Sequence, residues 1–348
     1  MYATCRLSQS VQLLFINPNC SFQTHSHKLF QQQACKNNTS NTKSRSYFSI
    51  TLKSDFNNQT RHTWTRLSST QYRKILSSFD LLSSHHYQSD CANGLIDVLS
   101  STFGINDKSS PAHRNQPSNT PRVLVLCGPG FSGHVVLQAA AQLAARGASI
   151  TLVMLDLVCE WPSTLNKKRE RNQKLNLLLD LCRCSGVQVI NFFPSTFAFY
   201  FDLVIDALDQ FDVPIHMISD TRMSICDRLK NVKLPVVSID APCGWNLDGN
   251  CSKNGTDMKK LQRVDPKVLV SLGIAKEYSI EFEGSFHFLV GKEFQQKICR
   301  ELCIQKDALR LPGFPLNSSC VLLEANTRDF GWGQEPDEHT PSSSSIQE

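Results

Sequence analysis

The first 53 residues contain no aspartate or glutamate. Six basic residues, Arg6, Lys28, Lys36, Lys43, Arg45 and Lys53, stand there unopposed and more than account for the net charge of +5. The rest of the chain is therefore close to neutral. That excludes the broad basic surface that phosphate-driven binding needs, and no DNA partner is expected. Also missing is an apolar run long enough to cross a bilayer, so no transmembrane segment is expected. Fourteen cysteines include no Cys-x-x-Cys; the closest pairs are Cys182 with Cys184 and Cys299 with Cys303. This spacing argues against a zinc site or a disulfide-stapled framework, and for reduced thiols in an intracellular compartment. His134, His216 and His287 have no partner at metal-ligand spacing and read as core or surface residues.

What is present is enough apolar material, 41% of 348 residues, for one large or two average domains. The acid-free start has two readings. It is either a mitochondrial transit peptide, with Ser44-Arg45-Ser46-Tyr47-Phe48-Ser49 as its local signature, or a polar disordered extension. A mitochondrial or a cytoplasmic location follows accordingly. The extension covers 1–62, and one domain is expected over 63–330, followed by a disordered tail at 331–348. Within the domain, Tyr72, Ile75, Leu76, Phe79 and Leu82 recur at helical spacing in a lead-in at 67–99. A Ser/Pro/Asn-rich linker occupies 104–120, and an α/β core runs from 121 to 323.

The core opens on an apolar run without alternation, Val123 to Cys127, the pattern of a strand buried on both faces. Gly128-Pro129-Gly130 stops it, and a helical pattern begins near Gly133. Strand, glycine turn and helix make half a βα unit, whose helix N-terminus aims free N–H groups over the sheet edge. Further strands are expected at 150–155, 187–192, 201–208, 236–240, 267–272 and 285–290, with helices at 166–182 and 219–230 between them. This alternation predicts a Rossmann-like three-layer α/β/α fold around a mostly parallel central sheet. Cys127 and Cys159, in apolar surroundings, read as buried free thiols.

Such sheets bind ligands beyond the carboxyl ends of their strands. The residues there are the Gly128 to Gly133 turn, Asp206, Asp240 and Lys276. The turn has glycines at 128, 130 and 133, but Phe131 sits where backbone approach matters. Asp156 is a weak candidate for the ribose-binding acid. Asp206 and Asp240 each end an apolar strand. Two carboxylates at one sheet edge can exchange protons, hold hydroxyls or coordinate a cation; alternatively each caps a following turn by accepting N–H bonds.

Six motifs then occur in order: Val-Leu-Val-Leu-Cys-Gly-Pro-Gly130, Asp-Leu-Val-Ile-Asp206-Ala-Leu, Val-Val-Ser-Ile-Asp240-Ala-Pro-Cys-Gly-Trp245, Val-Leu-Val-Ser-Leu-Gly-Ile-Ala-Lys276, Phe282-Glu-Gly-Ser-Phe-His-Phe-Leu-Val-Gly291 and Leu311-Pro-Gly-Phe-Pro. Together they resemble the YjeF N-terminal domain, the fold of NAD(P)H-hydrate epimerases and apolipoprotein A-I-binding proteins. The resemblance implies an isomerase that interconverts the R and S forms of hydrated NADH and NADPH, the substrates NADHX and NADPHX. Asp240 would be the catalytic, substrate-binding acid. Gly128, Gly130, Phe131, Ser132, Gly133 and Lys276 would line the nucleotide site with it. A potassium ion would be held at Asp206, Ser132 and Cys243, and a homodimer is implied.

The chain departs from the family pattern at Phe131, His134, Val135 and Val136, where glycines and polar residues are usual, and at Cys243, where the family has Ser. A soft thiol is a poor ligand for a hard cation. The loop Asp209-Gln-Phe-Asp-Val-Pro-Ile215 lacks the family's glycines. Two functions follow as expectations. One is the epimerase. The other is a non-catalytic YjeF-type binding or scaffold protein, similar to apolipoprotein-binding or decapping-complex relatives, with a protein as its partner.

Overall fold

The computed structural model describes residues 64–79, 81–105, 121–128, 130–154, 165–208, 220–245, 247, 263–302 and 310–326. The expected extension and tail, the linker beyond Ile105, Pro129, Cys159, Asp156, His216 and the 209–215 loop lie outside them.

Two helices lead in, α1 (Ser69–Ser77) and α2 (Leu81–Phe103). Ser68 starts α1 with a reciprocal cap, its side chain accepting from the Gln71 N–H while the Gln71 side chain returns to the Ser68 N–H. Gly104, at a left-handed φ of 64°, follows the end of α2. The sheet then begins with β1 (Arg122–Cys127), α3 (Phe131–Ala145) and β2 (Ser149–Met154). It continues through α4 (Leu165–Cys184), β3 (Gln188–Ile190), the single turn α5 (Phe197–Tyr200) and β4 (Leu203–Ala207). Next come α6 (Asp220–Lys230), β5 (Val236–Ile239) and β6 (Val268–Leu272). A 3₁₀ turn (Glu277–Glu281), β7 (Phe286–Val290), α7 (Lys292–Glu301) and β8 (Cys320–Ala325) complete it.

The strand order is β3-β2-β1-β4-β5-β6-β7-β8. All neighbours run parallel except β7 and β8, which are antiparallel with an irregularity between His287 and Phe288. The three-layer α/β prediction therefore holds. The direction of growth reverses between β1 and β4, the place where a parallel sheet opens a crevice at its strand ends. On one face Leu124, Leu126 and Val204 pack against Phe197, Phe201, Ile225 and Leu229 of the α5–α6 side. On the other, α3 sits between α2 and α4 and is buried almost all round, which its Ala-rich, nearly uncharged sequence permits.

Three elements went unread in the sequence: α5, α7 and β8. Asp90 of α2 explains how α7 begins, since its Oδ2 accepts the N–H groups of Glu293 (2.8 Å) and Phe294 (3.1 Å). The cap comes from another helix, so no local signal marks that start. Among the described residues no helix is long and apolar enough to cross a membrane.

Candidate functional site

β5 delivers Asp240 to the strand-end edge, fully buried. Its N–H donates to the Val270 carbonyl (2.7 Å), and the chain then turns away at a φ of 64°. Asp240 is the one non-glycine residue among those described with a left-handed φ, a conformation that costs energy and gathers at functional positions. Its carboxylate Oδ1 accepts the Leu272 N–H (3.1 Å) and pairs with the Lys276 ammonium. Tyr278 donates its hydroxyl to the Asp240 carbonyl (2.7 Å).

Lys276 is as buried as its partner. Besides Asp240 it donates to the Leu272 carbonyl (2.9 Å), and its Nζ lies 3.9 Å from the centre of the Tyr72 ring. Burial pushes the Asp240 carboxyl up, against the opposing pull of Lys276, and pushes the Lys276 ammonium down. Both groups are thus driven toward their neutral forms, the effect expected when two charges leave water together. Beyond them His287 and Ser271 share a hydrogen bond of 2.9 Å. Burial first, then the charges of Arg66 and Lys276, lower the His287 ring to about 3, so it is neutral. This agrees with its reading as a core histidine; His134 is buried too.

The cover over the pair comes from the N-terminal lead-in. Leu67 forms a parallel bridge with Lys276, donating to the Ala275 carbonyl (3.0 Å) and accepting from the Glu277 N–H (2.9 Å). That docking sets α1 over the ends of β5 and β6 and buries Tyr72 completely. Phe294 continues the seal, with ring centroids 6.2 Å from Tyr72, 5.7 Å from Tyr87 and 5.1 Å from Phe131. The sequence had marked Tyr72 only as an apolar helical position. Nothing local could show that it lies on a lysine some two hundred residues away.

Asp206, at the end of β4, is also fully buried. Its Oδ2 accepts from the Ser238 hydroxyl (2.9 Å) and the Cys243 N–H (2.9 Å), and its Oδ1 accepts from the Leu208 N–H (3.2 Å). Two of these are backbone N–H bonds, the contacts that the capping alternative predicts. Cys243 itself is joined to Cys226 of α6 by a disulfide. This corrects the expectation of unpaired thiols: the two cysteines meet only because β5 and α6 are neighbours, and a separation of 17 residues resembles no framework. Cys127 is a buried free thiol, as expected.

Packing by itself requires glycine at two positions of the turn. A Cβ on Gly133 would stand 1.8 Å from the Gly128 carbonyl oxygen, and one on Gly128 would stand 2.7 Å from the Leu208 carbonyl oxygen. Gly130 begins α3 without a side-chain cap, and Ser132 is buried. Phe131 turns its ring onto Phe294. The structure thus brings Asp240 and Lys276 into contact, and places Asp206 and Cys243 in a second hydrogen-bonded group.

The sequence profile of the family described as YjeF-related protein N-terminus matches residues 84–278. The chain belongs to the YjeF N-terminal family. Among solved structures, the yeast protein ynu0 (YNL200c) superposes with a TM-score of 0.54 at 18% identity, over 74% of this chain and 99% of the yeast chain. At that identity the likeness establishes the fold. A Pyrococcus horikoshii OT3 protein, PH0520, matches at 13% identity with a TM-score of 0.24, over 56% of this chain and half of its own.

In this YjeF domain two of the residues expected to hold potassium, Asp206 and Cys243, are poorly disposed for the ion. Asp206 spends three of its carboxylate acceptor sites on protein donors, two on Oδ2 and one on Oδ1, which leaves it little to offer a cation. The Cys243 sulfur, expected as a ligand, is bonded to Cys226 and has no thiolate to offer. Sequence reasoning also missed Ser238, Tyr278, Ser271 and Cys226 as parts of these groups. Only Ser238 carried a hint, as a polar residue in the otherwise apolar Val236–Ile239.

Proposed function

We propose that this YjeF domain is a non-catalytic binding or scaffold module, whose strand-end site has been turned into core. The observation that carries this reading is the Asp240–Lys276 pair, buried under the Tyr72 ring and the docked Leu67 segment. A substrate-binding acid must reach its substrate, and here Asp240 is fully buried with its Oδ1 held by Lys276 and the Leu272 N–H. The packing of Phe131 on Phe294 supports the same conclusion, because it puts an aromatic ring beside the turn that would have to admit a pyrophosphate. In this role the domain would present its outer surface to a protein partner, in the manner of the apolipoprotein-binding and decapping-complex relatives that its sequence resembles.

One observation favours the second reading, epimerisation of hydrated NAD(P)H. Asp240 keeps a strained backbone, and it and Lys276 are pushed toward each other's protonation range. In that reading Asp240 would exchange the proton at the inverting ring carbon, with Lys276 setting its charge state.

The experiment is a titration of the full-length protein with NADH, NADPH and their hydrates in potassium and in choline buffers, alongside measurement of hydrate epimer exchange. The expected result is no saturable nucleotide binding and epimer equilibration at the spontaneous rate. Micromolar, potassium-dependent binding, or exchange abolished by Asp240→Ala, would overturn the scaffold reading.

A further inference from the structure

Six cysteines among the described residues are free: Cys91, Cys127, Cys182, Cys184, Cys299 and Cys320. Cys226 and Cys243 are the exception, with Cα atoms 6.0 Å apart, inside the span a disulfide bridges. Both lie within the apolar cluster between α6 and the sheet. Cys243 is also the centre of the loop that follows Asp240. Its N–H holds Asp206, and its carbonyl accepts the Val264 N–H (3.1 Å). Two residues on, the Trp245 ring stacks under Arg263 at 3.9 Å. The loop is therefore fastened at one point to β4, at another to the 264 segment and at a third, covalently, to α6.

We propose that the Cys226–Cys243 disulfide is the tie that keeps this loop in place, fixing it to α6 covalently so that no bound cation is needed to hold it. The order of residues 240–245, and the stability of the domain, then respond to thiol reduction and not to potassium. The chemistry is ordinary exchange with a dithiol. One of its thiolates attacks a sulfur, the protein S–S bond breaks and a mixed disulfide forms. The second thiol then closes the reductant's own disulfide, and two electrons and two protons remain on Cys226 and Cys243. Because both sulfurs are buried, exchange has to wait for α6 to part from the loop, so reduction of the folded protein is slow.

The test uses the full-length protein without nucleotide, so its result is separate from that of the epimerase assay. Free thiols are alkylated under denaturing conditions before and after reduction, and peptides are mapped by mass. Thermal unfolding is then followed in potassium and in choline, with and without dithiol, for the wild type and Cys226→Ser. The expected map joins the Cys226 and Cys243 peptides until reduction. Dithiol should lower the wild-type melting temperature by roughly 5–10 °C. Cys226→Ser should melt with the reduced wild type and ignore dithiol, and exchanging potassium for choline should change nothing. Alkylation of both cysteines without reduction would overturn the proposal, as would a saturable potassium-dependent rise in melting temperature. If Cys226→Ser does not fold, the map and the wild-type melts decide alone.

Discussion

At the scale of single residues, burial decides the chemistry of this protein more than residue identity does. Asp240, Lys276 and His287 are the side chains one would choose for moving protons, yet all three are sealed from water. His287 supplies a measurable consequence. Its ring stays neutral in the folded state down to about 3, whereas an unfolded chain takes up the proton near 6.5. The stabilisation is complete above pH 6.5 and drains away as pH falls toward 3, at up to about 1.4 kcal/mol per pH unit. Denaturant melts across this range should therefore show an acid limb that is shallower in His287→Gln. An unchanged limb in the variant would mean that other groups set the acid sensitivity. The same burial explains why Asp206 behaves as a cap. Three donors converge on it, and a buried carboxylate keeps such partners because losing them is expensive.

At the scale of elements, β1 and α3 show how sterics can fix a glycine turn. The strand is where the apolar pattern put it, the helix starts at Phe131 rather than near Gly133, and the two critical glycines have steric reasons to be glycine. Gly133→Ala would press a methyl group into the Gly128 carbonyl, 1.8 Å away. Destabilisation of at least about 3 kcal/mol is expected, the upper end for overpacking, read as a drop in the urea midpoint. A variant of wild-type stability would show that the turn has room to move and is not held by packing. Of the elements missed in the sequence, α7 and β8 each have a physical reason. The helix is highly charged, with Phe294, Ile298 and Cys299 as its buried apolar residues, and its cap is borrowed from Asp90 of another helix. β8 is an antiparallel addition at the sheet edge, outside the alternation that announced the other strands.

At the scale of the whole molecule, the lead-in and the last strand close the fold over its own strand ends. Thr65 exchanges hydrogen bonds with Arg310, Leu67 bridges Lys276, and Arg66 pairs with Glu324 of β8 at 2.6 Å with both side chains buried. Removing the arginine takes a charged partner from a buried carboxylate, so Arg66→Ala should cost about 3 kcal/mol and loosen the cover over Lys276. Hydrogen exchange at residues 65–77 and 274–278 should rise together in this variant. Exchange confined to the first segment would mean that the lead-in does not seal the site.

The sequence alone determined the layer architecture, most strands and the family, because buried parallel strands announce themselves as apolar runs and the six motifs keep their order. It also located the acids at one sheet edge, since a polar residue ending an apolar strand has nowhere else to be. What those acids do was decided by tertiary structure. Tyr72 reaches Lys276, Arg66 reaches Glu324 and Cys226 reaches Cys243 through contacts between segments far apart in the chain or packed from different layers. No periodicity or spacing encodes such contacts, and they are what bury the strand-end acids beneath distant segments of the chain.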